Sequence, residues 1–357
     1  MNKKNVVIFF GGCSPEYKVS LASACEVISN LDRHLFDPIL VGITRQGDWY
    51  QYGGDIKHIQ NDTWFGVDCR PACLSQSRRK HELIVFNKDD VARLPVDAVF
   101  PVLHGRNGED GTVQGLCELA GIPFVGCGTL ASALCMDKDR AHKLVSFAGL
   151  RVPRSHVITS DLLEPDMLAL AEDIGYPLFV KPMRAGSSYG VVKVYSDSHL
   201  VAAAKAAFQF DHFTLIEETI PGFEVGCAII GNEVLFSGEP DEIRIDTDFY
   251  DFNAKYNSKE SKVRVPARVS KFQRTEIKEV SKQIYRILGC QGYARVDLFL
   301  RPDGILIFNE VNTIPGFAPG SRFPRMMDAA GLSIKDLISR LILLGVERNE
   351  TMKAGPV

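Results

Sequence analysis

Nothing in this chain approaches the roughly 20 consecutive apolar residues that a membrane-spanning helix needs. The N-terminal MNKKNVVIFFGG sets two lysines before an apolar run, but the run stops at Gly11-Gly12 and polar residues follow. A buried first strand is therefore expected rather than a secretory leader. An excess of positive charge is missing too, since 41 basic residues against 44 acidic ones leave a formal charge of −3. Without a basic stripe to neutralise a phosphate backbone, nucleic acid is not an expected partner. The nine cysteines are odd in number and scattered through apolar segments, which is no disulfide framework. Cys69 and Cys73 stand four apart with no second Cys/His pair at finger spacing, so no zinc site is expected. Also absent are a Walker A sequence, the G-x-G-x-x-G dinucleotide fingerprint, solenoid repeats and low-complexity tracts. What remains is a soluble, cytoplasmic chain with no membrane partner, whose function sits in particular loops.

With 357 residues, 45% of them hydrophobic, the chain can bury real cores and exceeds one compact domain. The first third alternates short apolar runs with amphipathic ones: VVIFF, SLASACEVISNL, FDPILVGIT, DAVFPVL, TVQGLCELAG. Strand-helix alternation of this kind predicts an α/β unit with a largely parallel sheet. LASALCMDKDRAHKLVSFAG, from 130 to 149, has helical periodicity and ends on a glycine that can cap it. Beyond it YPLFVKP, GVVKVYS and FTLIEETI read as strands with SHLVAAAKAAFQF as a helix, a small α+β unit. The last third repeats the idea, with ARVDLFL and ILIFNEV as strands and SIKDLISRLILLG as a final helix.

Asp297 lies inside one apolar strand, and Glu310 and Asn312 stand two apart in the next, hence on one strand face. A hard cation such as Mg²⁺ wants a few oxygen ligands and keeps the rest of its shell for water and phosphate. Solvent-exposed edge carboxylates are the alternative, disfavoured because charges within apolar strands are costly unless paired or metal-bound. KPMRAGSSYGV holds Lys181, two glycines and two serines between two strand patterns. Its small residues would let backbone N–H groups approach phosphate oxygens, although a Gly/Ser hairpin alone is often only a turn. Glu217 and Glu224 could take an adenine amine and ribose hydroxyls, or could be solvated strand ends. GGCSPEYKVS follows a buried strand and opens a helix, where Ser14 or Ser20 could act as a cap. VLHGRNGEDGTVQG concentrates His104, Arg106, Glu109 and Asp110 among four glycines, more charge than a turn requires.

In this order, FFGGCSPEYKVS, VLHGRNGEDG, ALCMDKDRAHK, FVKPMRAGSSYG, FEVGCA, FYDFNAKY, ARVDLF and FNEVNTIPG resemble the D-alanine-D-alanine ligase family across nearly the whole chain. The stretches GFEVGCAIIG, DEIRI and SRFPRMM are more similar to its Van-type resistance members, and to the VanG group that forms D-alanyl-D-serine. The resemblance implies a three-domain ATP-grasp fold of mixed α/β and α+β class: an N-terminal parallel α/β domain (1–136), a central domain (137–220) and a C-terminal domain with metal site and lid loop (221–357). It implies ATP contacts at Lys138, Lys181, Ser188, Glu217, Ile220, Glu224 and Asn309, with two Mg²⁺ ions (Mn²⁺ as a substitute) on Asp297, Glu310 and Asn312. The catalytic set it implies is Glu16, Ser187, Tyr256, Arg295 and Gly316; Glu16 would hold the first substrate's ammonium with His104 beside it. Lys255 and Ser321 fall on the second-substrate side, and Asp241, Tyr250 and Arg322 match positions tied to D-serine. D-alanine and D-serine are the implied substrates and a homodimer the implied assembly. The chain departs from the family at RAGSS in place of REGSS, at Lys18 in place of an acid, and at FAPG before Ser321. Another ATP-grasp ligase would have no reason to carry Glu16 with HGRNGEDG, a regulatory protein that has lost catalysis would have a broken metal set, and a dehydrogenase fails on the missing fingerprint.

Overall fold

The computed structural model describes residues 3–245 and 261–354. The first strand, Lys4–Gly11, is closed to water on both faces from Val6 to Phe10. A run of β-branched and aromatic residues of this kind suits the centre of a sheet covered on two sides. It pairs in parallel with Phe36–Ile43 and Ala98–Pro101. The parallel core matches the sequence pattern, but the sheet continues past Phe36–Ile43 through four antiparallel strands, Trp49–Tyr52, Cys69–Leu74, Glu82–Phe86 and Val91–Pro95. Their weak alternation gave no clear strand pattern, and the sheet is mixed.

A second, antiparallel sheet holds Ser155–Thr159, Leu178–Pro182, Val192–Val194 and Phe213–Glu218. Met167 and Ala171 of the helix Glu164–Ile174, with Leu200 and Ala204 of Asp197–Ala207, cover its apolar face. The third sheet runs through Ser261–Arg264, Asp241–Ile245, Phe223–Ile230, Tyr293–Leu300 and Leu306–Asn312. Helix Lys271–Ile287, started by a Ser270/Gln273 capping box, lies against it. Among the described residues no helix is long and apolar enough to cross a membrane.

One expected helix is two. The 130–149 pattern breaks at Asp137, whose extended backbone separates Thr129–Met136 from Lys138–Phe147 and whose carboxylate accepts from Arg140 N at 3.1 Å. Periodicity survives such a break because both halves bury small apolar residues, while the side-chain cap competes with the helix for the backbone.

Candidate active site

Loops at the C-terminal ends of the two parallel strands Lys4–Gly11 and Ala98–Pro101 carry Glu16 and His104, the end of such a sheet where ligands bind. Gly11 has φ +92°, and a Cβ there would lie 2.1 Å from Ile43 O, so only glycine allows this turn. Glu16 heads the helix Tyr17–Ser29. Neither nearby serine caps that helix: Ser14 donates to His104 O at 2.6 Å, and Ser20 accepts from Gly11 N and donates to Val102 O, tying the two loops together. The Glu16 carboxylate accepts a short hydrogen bond from Ser187 Oγ, contributed by the hairpin of the second sheet. Ser187 and Ser188 both sit in the left-handed region, φ +51° and +57°, backbone that costs energy for a residue with a Cβ and is found at functional loops.

The second and third sheets enclose a cleft of about 380 Å³. Lys138, Lys181, Ser188, Glu217, Ile220, Glu224 and Asn309 all line it, together with Glu310, Phe179 and Phe299. Lys181 Nζ is 2.6 Å from Glu217 Oε1; Lys138 Nζ donates to Ala185 O at 2.8 Å and lies 3.3 Å from Glu310. Lys138 is the first residue of the helix that Asp137 caps, and it lines this cleft. His142, one turn further, is held by Asn309 O at 2.7 Å and packs edge-on against Phe308.

Deeper in, Asp297 faces Glu310 across paired strands, and Asn312 Nδ2 reaches Asp297 Oδ2 at 3.0 Å. The register slips between Asp297 and Leu298, so that Leu298 pairs with Phe308 and Asn309 is the extra residue. This bulge lets Phe308 and Val311 both enter the core while Glu310 and Asn312 turn to the site. Two carboxylates and an amide that can turn its oxygen inward are hard donors, a set that fits Mg²⁺. Arg295 grips Asp297 with Nε at 2.8 Å and Nη2 at 2.7 Å. Arg322 Nη2 lies 3.4 Å from Asp297 Oδ1, the oxygen that Arg295 Nε also holds.

Arg322 is not paired with a surface acid. It is nearly closed to water, with Nε 2.6 Å and Nη2 2.9 Å from the Asp241 carboxylate and Nη1 2.5 Å from Glu224. Three carboxylates raise its pKa against the opposing effect of burial. Gly226 leaves room beneath it, because a Cβ there would come within 2.4 Å of Arg322 Nη2 and force these side chains to shift. Glu224, expected near ribose, is thus shared between the cleft and this ion cluster. Ser321 stands at the start of the helix Arg322–Ala329 without capping it, beside Gly316. Tyr250, Lys255 and Tyr256 lie outside the described residues.

His104 and Glu109 reach from the first unit to the loop bearing Gly316. His104 Nδ1 donates to Ile314 O at 2.9 Å, and Ile314 N donates to Glu109 Oε1 at 3.0 Å. Burial pushes the His104 imidazole down and keeps it neutral. Burial, and then the negative Glu16, push Glu109 up to about 8, against the pull of two N–H donors. The sequence singled out Glu109 only as part of a charged turn; its grip on a residue 205 positions away had no local signal.

Two sheets closing on a cleft with two lysines at one wall and carboxylates at its floor form the ATP-grasp fold. The family model described as D-ala D-ala ligase N-terminus matches residues 5–127, and D-ala D-ala ligase C-terminus matches 144–343. Vancomycin B-type resistance protein VanB of Enterococcus faecalis is 44% identical over 98% of this chain and 100% of its own. D-alanine--D-alanine ligase A of Escherichia coli is 40% identical over 98% and 97%. The crystal structure of VanG D-Ala:D-Ser ligase from Enterococcus faecalis superposes with TM-score 0.89 and 48% identity, covering 96% of this chain and 100% of that one. The chain belongs to the D-alanine-D-alanine ligase family.

Proposed function

We propose that the protein is an ATP- and Mg²⁺-dependent ligase that joins D-alanine to a second D-amino acid for peptidoglycan precursors, with D-serine preferred. The observation that carries the reading is that seven nucleotide-type residues line one cleft together with Glu310, which pairs across the strands with Asp297, itself bonded to Asn312. A carboxylate is a poor acyl donor. D-alanine's carboxylate oxygen therefore takes the γ-phosphoryl of ATP, releasing ADP, with Lys138 and Lys181 neutralising the transferring charge. Mg²⁺ on Asp297, Glu310 and Asn312, with Mn²⁺ as a substitute, would supply further charge neutralisation. The second substrate's free amine then attacks the acyl phosphate carbonyl, phosphate leaves, and the amine gives up a proton. Glu16, with His104 beside it, holds the first ammonium; Arg295 and the backbone at Gly316 face the oxyanion. The segment with Tyr250, Lys255 and Tyr256 acts as a lid against water, with Ser321 beside the second substrate. The protein works in the cytoplasm as a homodimer of three-domain chains divided at 136/137 and 220/221.

D-serine is favoured by the likeness to a structure described as a D-Ala:D-Ser ligase and by polar Asp241 and Arg322, since choosing a hydroxylated substrate requires a placed polar partner. The housekeeping reading, D-alanyl-D-alanine, is favoured by one observation: Asp241 and Arg322 already satisfy each other. Mass spectrometry of products from D-alanine with equimolar D-serine decides. Mainly D-alanyl-D-serine is expected; mainly D-alanyl-D-alanine removes the serine preference and leaves the ligase reading. The chain itself is the better probe than Arg322→Leu, because that variant removes the counter-charge of the fully buried Asp241 and costs stability on the order of 3–5 kcal/mol.

A further inference from the structure

The helix Tyr17–Ser29 presents Ser20 and Ser23 on the face that Glu16 begins, one residue per turn. Ser23 is fully buried, and its hydroxyl lies 3.1 Å from His104 Nε2 and 3.1 Å from Phe317 N. We propose that Ser23 is a positioning residue, which orients His104 and fixes the backbone on which Gly316 acts in the second half of the reaction. The inference rests on the functional reading above.

Both roles of the hydroxyl are forced by its neighbours. A carbonyl oxygen only accepts, so the His104 nitrogen facing Ile314 O carries the ring proton. The neutral ring then has an acceptor at Nε2, which takes the Ser23 O–H, while the Ser23 oxygen accepts from Phe317 N–H. With Glu109 on Ile314 N, the segment is gripped at three backbone atoms, Ile314 N, Ile314 O and Phe317 N, on either side of Gly316. All three grips come from the first unit, and none touches the lysines that face the transferring phosphoryl. Because His104 also stands beside the first substrate's ammonium, a fault there should fall on amine attack and spare acyl phosphate formation once D-alanine is saturating.

The test separates the two halves in Ser23→Ala and in Ser23→Cys, which keeps the volume with a weak donor and acceptor. With D-alanine alone, at saturation, scrambling of an oxygen-isotope label between the bridging and terminal positions of ATP reads reversible acyl phosphate formation. Dipeptide release reads the whole reaction. In both variants dipeptide kcat is expected to fall on the order of 10- to 100-fold, as misplacement of a reacting centre does, with scrambling and the KM for ATP unchanged. Scrambling and kcat falling in parallel would make Ser23 merely structural, and an unchanged kcat would remove its role; either overturns the proposal. Should Ser23→Ala fail to fold, Ser23→Cys is judged by the same criteria. Absence of both scrambling and dipeptide release in the unaltered protein would instead sink the ligase reading.

Discussion

At the residue scale, the carboxylates of the site differ in what their removal does. Asp297 holds Arg295, Asn312 and Arg322 together, so Asp297→Asn disturbs buried charge as well as chemistry, on the order of 3–5 kcal/mol. Glu310, more exposed and facing Lys138, is the cleaner probe. Glu310→Gln should lose at least 100-fold in ligation, roughly the effect of one missing charge-stabilising group, with the thermal midpoint little changed. Near-normal turnover at ordinary Mg²⁺ would remove Glu310 from the site. Glu109 lends itself to a pH test. Its carboxyl titrates near 4.5 when free and at about 8 when folded, so over that window the native state holds a proton that the unfolded chain has released. Its contribution to stability therefore declines as pH rises from 4.5 to about 8. Glu109→Gln, which cannot ionise, should gain in melting temperature relative to the parent as pH goes from 5 to 8. A flat difference across that range refutes the shift.

At the scale of elements, two local interruptions shape the site. The bulge at Asn309 lets one strand serve the core and present Glu310 and Asn312 to the site at once. The Asp137 cap turns one amphipathic pattern into two helices, the second of which begins with Lys138 at the cleft. Asp137→Ala removes the bond to Arg140 N and should cost about 1 kcal/mol, the ordinary worth of an N-cap. Because Lys138 follows directly, the KM for ATP should rise in the same variant. Urea denaturation and a nucleotide titration read the two effects; lost stability with an unmoved KM would show that the cap does not aim the lysine.

At the scale of the whole molecule, the first and third sheets share a core. Phe100 of the first sheet meets Tyr293 and Phe317 at centroid distances of 6.4 and 6.1 Å, and Tyr293 meets Phe323 at 5.5 Å. The last helix, Ile334–Ala354, locks this arrangement: Arg348 lies over the Phe124 ring at 4.0 Å and donates to Gly126 O at 2.5 Å. Burial lowers the Arg348 pKa from its usual value, a sign of how far this cation is taken out of water. Arg348→Ala should lower stability by on the order of 2–4 kcal/mol, from charged hydrogen bonds and ring stacking together. A shift in the urea midpoint worth less than about 0.5 kcal/mol, the level of an ordinary surface change, would show the anchor to be idle.

The sequence by itself showed the parallel strands, the Gly/Ser hairpin and the carboxylates and amide at Asp297, Glu310 and Asn312, while Lys138, Ser188, Ile220 and Asn309 of the cleft were legible only through the family resemblance. The former depend on local periodicity and on chemistry that a few residue types can supply. It could not show that Phe308 and Glu310 take different faces, because alternation assumes an unbroken register and the bulge depends on the neighbouring strand. Nor could it show Arg322 closed among Asp241, Glu224 and Asp297, or Ser23 bonded to a residue 294 positions away. Those contacts join distant segments, and whether a polar group there is free or satisfied is decided only when the sheets come together and exclude water.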